Sequence, residues 1–217
     1  MIRLAFDTSN KPLVVVLADD QDILEVYSKE QAESHSTSLL PVISQLLEKQ
    51  NLKIEQIEQL IVAKGPGSFT GLRIGATVAK TMANALNIPL IPVSSLAIIA
   101  AEVDSNKNIA IYFDARNDNV FAGIYNPDNQ NVVVDQHIAF EEFKKIATKN
   151  DAELIDGLNF KINGTGLLKI SENTMSLTRQ EIDAYIPNYL RDTQAQINWQ
   201  NEHKNLGVLD DGFVQEI

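Results

Sequence analysis

An α/β fold of two lobes, each a βββαβα unit with the second lobe reduced, is what the sequence predicts. Three observations carry this. The apolar runs IRLAFD (2–7) and NIAIYFD (108–114) open the two halves of the chain, and each ends in an aspartate. Each is followed by two more strand-like runs and then a helical run, so the order βββαβ occurs twice. A glycine-rich turn, KGPGSFTGLRIG (64–75), joins an apolar run to a helical run in the first half. The boundary falls near residue 106, giving a lobe at 1–106 that carries the glycine turn and a smaller one at 107–217.

The elements follow in order. IRLAFD is a first strand ending in Asp7, and LVVVLA (13–18) is a buried strand. After the turn DDQD, ILEVYS (23–28) completes a meander. SHSTSLLPVISQLLEKQN is a helix with Ser and Thr cap candidates, and Pro41 stands near its start, where a missing N–H is tolerated. LIVAK (60–64) is the fourth strand. The helix at 71–86 is stopped by Asn87 and Pro89, and PLIPV and SSLAIIAA close the half as strand and helix. In the second half, VFAGIY and VVVDQHI flank the turn NPDNQN, and FEEFKKIATK (140–149) is helical. FKINGTG (160–166) reads as a strand entering a glycine turn. This repeat is the pattern of a two-lobed actin-like ATPase, ribonuclease H-like or sugar-kinase fold. The alternative is one mixed sheet without duplication.

A chain of 217 residues is long enough for a substantial core. Its net charge of −11 argues against nucleic-acid binding by this chain alone, because Lys144-Lys145 is the one adjacent basic pair. There is no cysteine, which excludes disulfides and thiolate metal sites. Neither a secretory leader nor a bilayer-length apolar run is present, so a cytoplasmic protein without membrane contact is expected.

The glycines at 65, 67, 71 and 75 fit neither the dinucleotide fingerprint, since Thr70 stands at the third glycine position, nor a P-loop, since Leu72-Arg73 follows Gly71. A strand, a glycine turn and a helix start would still aim free N–H groups at one point, which suits an anion. Ser68 and Thr70 are cap candidates that would also reach a phosphate. The bland alternative is a tight turn at 65–67, with Gly71 and Gly75 letting helices approach closely. In the actin-like architecture, aspartates such as Asp7 and Asp114 sit near metal and phosphates, and glycine turns follow them. Here TSN and ARND follow, without glycine, so the cleft reads as degenerate and Gly65, Gly67, Ser68, Thr70 and Gly71 as a vestigial phosphate loop. His35, His137 and His203 form no H-x-x-x-H pair, so no metal site and no catalytic residue is assigned. Tyr185 and Trp199 read as packing groups.

DTS (7–9), HSTSLLP (35–41), GPGSFTGLRIG (65–75), DAR (114–116), NGTG (163–166) and PNYLR (187–191) together resemble the TsaB (YeaZ) family. The resemblance spans residues 7 to 191, and the eleven-residue glycine motif is its most specific part. It implies an actin-like fold and a non-catalytic role beside the larger paralogue TsaD, which transfers a threonylcarbamoyl group to a tRNA adenosine beside the anticodon. An ATPase, TsaE, would bind the pair, and tRNA would be met only through the complex. No cofactor of its own is implied, nucleotide would bind weakly or only within the complex, and self-association is open when the partner is missing. The paralogue's histidine pair has no counterpart in VSSLAIIA (93–100). A sugar-kinase-like ATPase using Asp7, Asp114 and the 65–75 loop is the alternative.

Leu39, Ile43 and Leu46 on the first helix and Ile74, Gly75 and Val78 on the second lie in apolar arcs wider than one core needs. With His35 at the head of the first helix and Gly71 as a small contact residue, they are the expected docking surface for the paralogue. The competing expectation is that SSLAIIAA covers this surface from within the chain.

Overall fold

The computed structural model describes residues 1–190 apart from Gln21 and residues 31–33. Arg191, Trp199 and His203 lie outside the described residues. Strands β1 (Ile2–Asp7), β2 (Pro12–Asp19) and β3 (Asp22–Glu30) form an antiparallel meander. β4 (Gln59–Ala63) runs parallel to β1, and β5 (Leu90–Val93) runs parallel to β4, so the sheet order is β3-β2-β1-β4-β5. A second sheet repeats the plan. β6 (Asn108–Asp114), β7 (Asn119–Tyr125) and β8 (Asn131–Ala139) form its meander, and β9 (Ala152–Asp156) lies parallel to β6. The order is β8-β7-β6-β9, with no fifth strand among the described residues. The duplicated fold with a reduced second lobe is therefore present.

Helices α1 (His35–Lys49), α2 (Phe69–Leu86) and α6 (Arg179–Ala184) lie on one face of the first sheet. Its other face meets α3 (Ser95–Ala100) and α5 (Thr165–Glu172), which also meet the second sheet, while α4 (Phe140–Lys149) covers the far side of that sheet. Period-two alternation in β1 fits this layering: Leu4 and Phe6 face α1 and α2, and Ala5 faces α3. In α1, Leu39, Val42, Ile43, Leu46 and Leu47 recur at helical spacing and all are buried. Each such Leu or Ile contributes on the order of 2 kcal/mol by leaving water.

The second half departs from the expected reading at one strand. The strand parallel to β6 is Ala152–Asp156, and residues 160–164 pair with no strand. The reason is hydrogen bonding: the amides of Asn163 and Gly164 donate to the carboxylate of Glu102 and not to a ladder. A boundary at 106/107 assigns α5 and α6 to the second lobe by chain order, yet by contact they lie against the first. α5 packs on β1, β4 and β5, and α6 packs on α2. Buried Arg3 of β1 fixes this return, since its Nη2 donates to the Ser171 hydroxyl and its Nε to Gln59 Oε1 at 2.8 Å.

Candidate functional site

Two equivalent turns face a cleft between the sheets. Asp7 Oδ1 accepts from Ser9 N at 2.6 Å, and Asp114 Oδ1 accepts from Arg116 N at 2.8 Å. Each strand-ending aspartate thus ties down the amide two residues on, the usual local use of a short carboxylate in a turn. Their surroundings then diverge. Asp114 is exposed and lines the cleft, whereas Asp7 is 1% exposed and its Oδ2 has no partner among the described residues. Burial pushes the Asp7 carboxyl above its ordinary value, against the pull of the Ser9 hydrogen bonds and the nearby His35.

That direction predicts a pH-dependent outcome. A raised folded-state value means that folding binds the proton more tightly, so ionisation above that value costs stability. Asp7→Asn should therefore raise the melting midpoint at pH 7. The gain should vanish as pH falls below the ordinary aspartate range, where both states hold the proton. A variant less stable than wild type at pH 7, with no pH dependence in the difference, would refute the assignment.

The glycine loop closes on the chain's own backbone. Ser68 N donates to Ser9 O at 2.7 Å, and a Cβ on Gly67 would come within 2.4 Å of that same oxygen. Thr8 Oγ1 donates to Gly71 O at 2.7 Å, and a Cβ on Gly71 would sit 1.9 Å from Thr8 O. Ser68 is the cap of α2 and accepts from Gly71 N at 3.2 Å. Thr70, the other cap candidate, is exposed in the first turn and does not fill that role. The remaining end of the loop is held by the returning chain, where Asn188 N donates to Lys64 O at 2.7 Å. Tyr189 stacks on Phe69 at 4.7 Å, and the Arg73 guanidinium lies 4.2 Å from the Phe69 ring centre. Loop and cap thus serve to seat α2 against the β1–β2 turn.

The cleft encloses about 880 Å³ and is lined from one side by Asn10, Lys11, His35, Gly67 and Ser68. From the other side come Phe113, Asp114, Arg116 and Phe121. Gly65, Thr70, Gly71 and Asp7 are not among its lining residues. His35 donates from Nε2 to the Asn10 carbonyl at 2.8 Å, a tautomer fixed because a carbonyl only accepts. The β6–β7 hairpin holds Arg116, Asn117 and Asp118 at φ of 67°, 51° and 58°. Asn and Asp tolerate this left-handed backbone, and Arg116 is the least suited of the three. His137 lies apart, with its ring 5.4 Å from that of Phe121. Among the described residues, no three His, Asp or Glu side chains converge on a metal position.

The NGTG turn is filled from inside. Glu102 Oε2 accepts from Asn163 N at 2.7 Å, and its Oε1 accepts from Gly164 N at 2.7 Å and Gly166 N at 3.1 Å. Burial raises this carboxyl above its ordinary value, against the pull of the three amides and Lys169. Nothing in the sequence around Glu102 marks it. Tyr189 was visible only as part of PNYLR, without a role.

The expected docking residues divide. Leu39, Ile43 and Leu46 are buried in the first lobe's own core, and Gly71 and Gly75 lie beneath Thr8. Ile74 and Val78 are half-buried at the core's edge. The wide arcs are therefore not spare: a wholly apolar sheet face and two adjoining helices use them up. α3 lies on the opposite face, so it does not cover α1 and α2. Their outward side presents Leu40, 53% exposed, with Ser44, Arg73, Thr77 and Thr81. Tyr185 does pack into the first core, with its hydroxyl buried and unpartnered among the described residues.

A family model described as TsaD, tRNA N6-adenosine threonylcarbamoyltransferase, matches residues 25–165. A Bacillus subtilis protein, tRNA threonylcarbamoyladenosine biosynthesis protein TsaB, is 35% identical over 159 residues, spanning 71% of this chain and 69% of that one. Its Haemophilus influenzae namesake is 33% identical over 121 residues, spanning 54% and 51%. The structure of YeaZ from Pseudomonas aeruginosa superposes with a TM-score of 0.70 at 22% identity, covering 87% of this chain and 99% of that one, which supports the fold.

Proposed function

This chain belongs to the TsaB family of tRNA threonylcarbamoyladenosine biosynthesis proteins, and from that premise we propose that it is a non-catalytic subunit of this tRNA-modifying machinery. In this reading it docks on the larger TsaD paralogue, the pair engages the TsaE ATPase, and the assembly works in the cytoplasm. The observation that carries the proposal is the closed glycine loop. The Ser68 amide is taken by Ser9 O, and the Cβ sides of Gly67 and Gly71 close on Ser9 O and Thr8 O, so the close approach these glycines allow serves the chain's own backbone and not a phosphate. Nucleotide is then weakly held by the isolated chain, and chemistry belongs to the paralogue. With a charge of −11 the chain meets tRNA only in the assembly. No described helix is long and apolar enough to cross a membrane.

The kinase-like reading keeps one supporting feature, an open cleft with Asp114 on its wall. Titration calorimetry with Mg-ATP separates the two readings. Tight binding and steady hydrolysis by the isolated chain would sink the non-catalytic one. The direct test is a reconstituted tRNA modification assay with each component left out in turn. Omitting this chain should abolish turnover, and undiminished turnover without it would refute the role.

The docking surface that fits is the outward side of α1 and α2, open because α3 and α5 lie beyond the sheet. A paired Leu40→Asp and Thr77→Arg variant changes only exposed positions and should melt within a few degrees of wild type. Buried against a partner, the unpaired charges would cost several kcal/mol and co-purification with the paralogue should be lost. Wild-type affinity in the folded variant would place docking elsewhere.

A further inference from the structure

We propose that the groove between β3, the C-terminal half of α1 and Lys161–Asn163 holds the sugar–phosphate backbone of the RNA when the assembly is loaded. The identity of the polyanion rests on the proposed function, whereas the groove itself rests on its own chemistry. It encloses about 430 Å³ and gathers Lys29, Lys49 and Lys161 beside Tyr27, Ser28 and Gln45. In a chain with 29 acidic against 18 basic residues, three ammonium groups around one groove run against the overall balance. Lys49 meets Glu25 at 3.6 Å, while Lys29 and Lys161 have no carboxylate within ion-pair distance among the described residues. Lys29 instead lies 5.5 Å from the Tyr27 ring centre.

The charge type favours phosphodiester over protein. Lysine is a mobile point charge that follows a phosphate chain, and it is depleted at protein interfaces, where buried aromatic and Arg anchors carry affinity. The net negative charge of the whole chain explains why such a groove would act only when a partner holds the RNA in place. It would align the RNA without reading its sequence.

The test uses the assembled complex and tRNA, with binding measured across a potassium chloride series. Changing Lys29→Gln, Lys49→Gln and Lys161→Gln together should weaken binding at low salt at least ~10-fold and reduce the log–log salt slope by about 3, one for each lost phosphate contact. A control carrying Lys107→Gln, Lys145→Gln and Lys149→Gln alters net charge equally at exposed positions of the second lobe and should keep the wild-type slope. Equal slopes for wild type and the groove variant overturn the proposal while leaving the proposed function standing. Equal weakening by the control also overturns it, because the effect is then global charge. Loss of the protein partner without loss of RNA affinity overturns it in favour of an acidic protein surface.

Discussion

Gly71→Ala is expected to destabilise the protein by at least ~3 kcal/mol, a shift of roughly 10 °C in melting midpoint for a chain of this size. The added methyl would lie 1.9 Å from Thr8 O, a backbone atom that cannot rotate away. Either α2 must lift from the β1–β2 turn or the turn must open, and each breaks the Thr8 Oγ1 bond to Gly71 O. Gly75→Ala makes the informative comparison. Its methyl would lie 2.5 Å from Thr8 Oγ1, the end of a side chain with other rotamers, so the cost should be clearly smaller. Thr8→Ala should rescue Gly75→Ala and leave Gly71→Ala unrescued. Thermal melts of the singles and doubles decide this. Equal costs at the two glycines, or rescue of both, would mean that α2 is not seated as described.

Glu102→Ala should cost a further ~3–5 kcal/mol by leaving three amides at the head of α5 without their acceptor. The loss spreads because Leu167, Leu168 and Ile170 of α5 are buried between the two sheets. Glu102→Gln should fall between wild type and alanine, since one end of an amide must turn its own N–H groups towards these donors. Formate at high concentration should restore part of the stability of Glu102→Ala, entering as the missing carboxylate, and should leave wild type unchanged. Amide exchange at Asn163, Gly164 and Gly166 reads the same event locally. Unchanged protection in the alanine variant would show that the carboxylate is not what holds the turn.

The first lobe was legible because its signals are local. Near-continuous apolar runs in β1 and β2, Ser68 ahead of a long helix, and Asn87 with Pro89 behind it each act within a few residues. The second lobe was read less well where structure depends on distant partners. AELID is a short strand with an exposed Glu153 and shows little alternation, and only pairing with β6 makes it a strand. FKINGTG offered a plausible strand instead, and the carboxylate that bends it away comes from Glu102, far upstream. The same limit applies to the glycine loop. Its spacing showed that a close approach was needed, but not that the approaching group is the chain's own Thr8 and Ser9. The arcs on α1 and α2 look spare in the sequence because it shows how wide an apolar face is, not how much of it the sheet covers.

The return of α5 to β1 has a consequence for how the protein is made. Arg3 meets Ser171 across 168 residues of chain. At ~5–20 residues per second the first strand leaves the ribosome on the order of ten to thirty seconds before its cover exists. During that time the sheet face carrying Ala5, Val14, Val16 and Ile61 lacks α5 and has at most α3 over it, which leaves apolar strand surface open to other nascent chains. The vulnerable species is thus the protein in synthesis, and holding chaperones would meet it at this face. Late truncations before residue 171 should be recovered as aggregates or degradation products, even though both meanders are already complete in them.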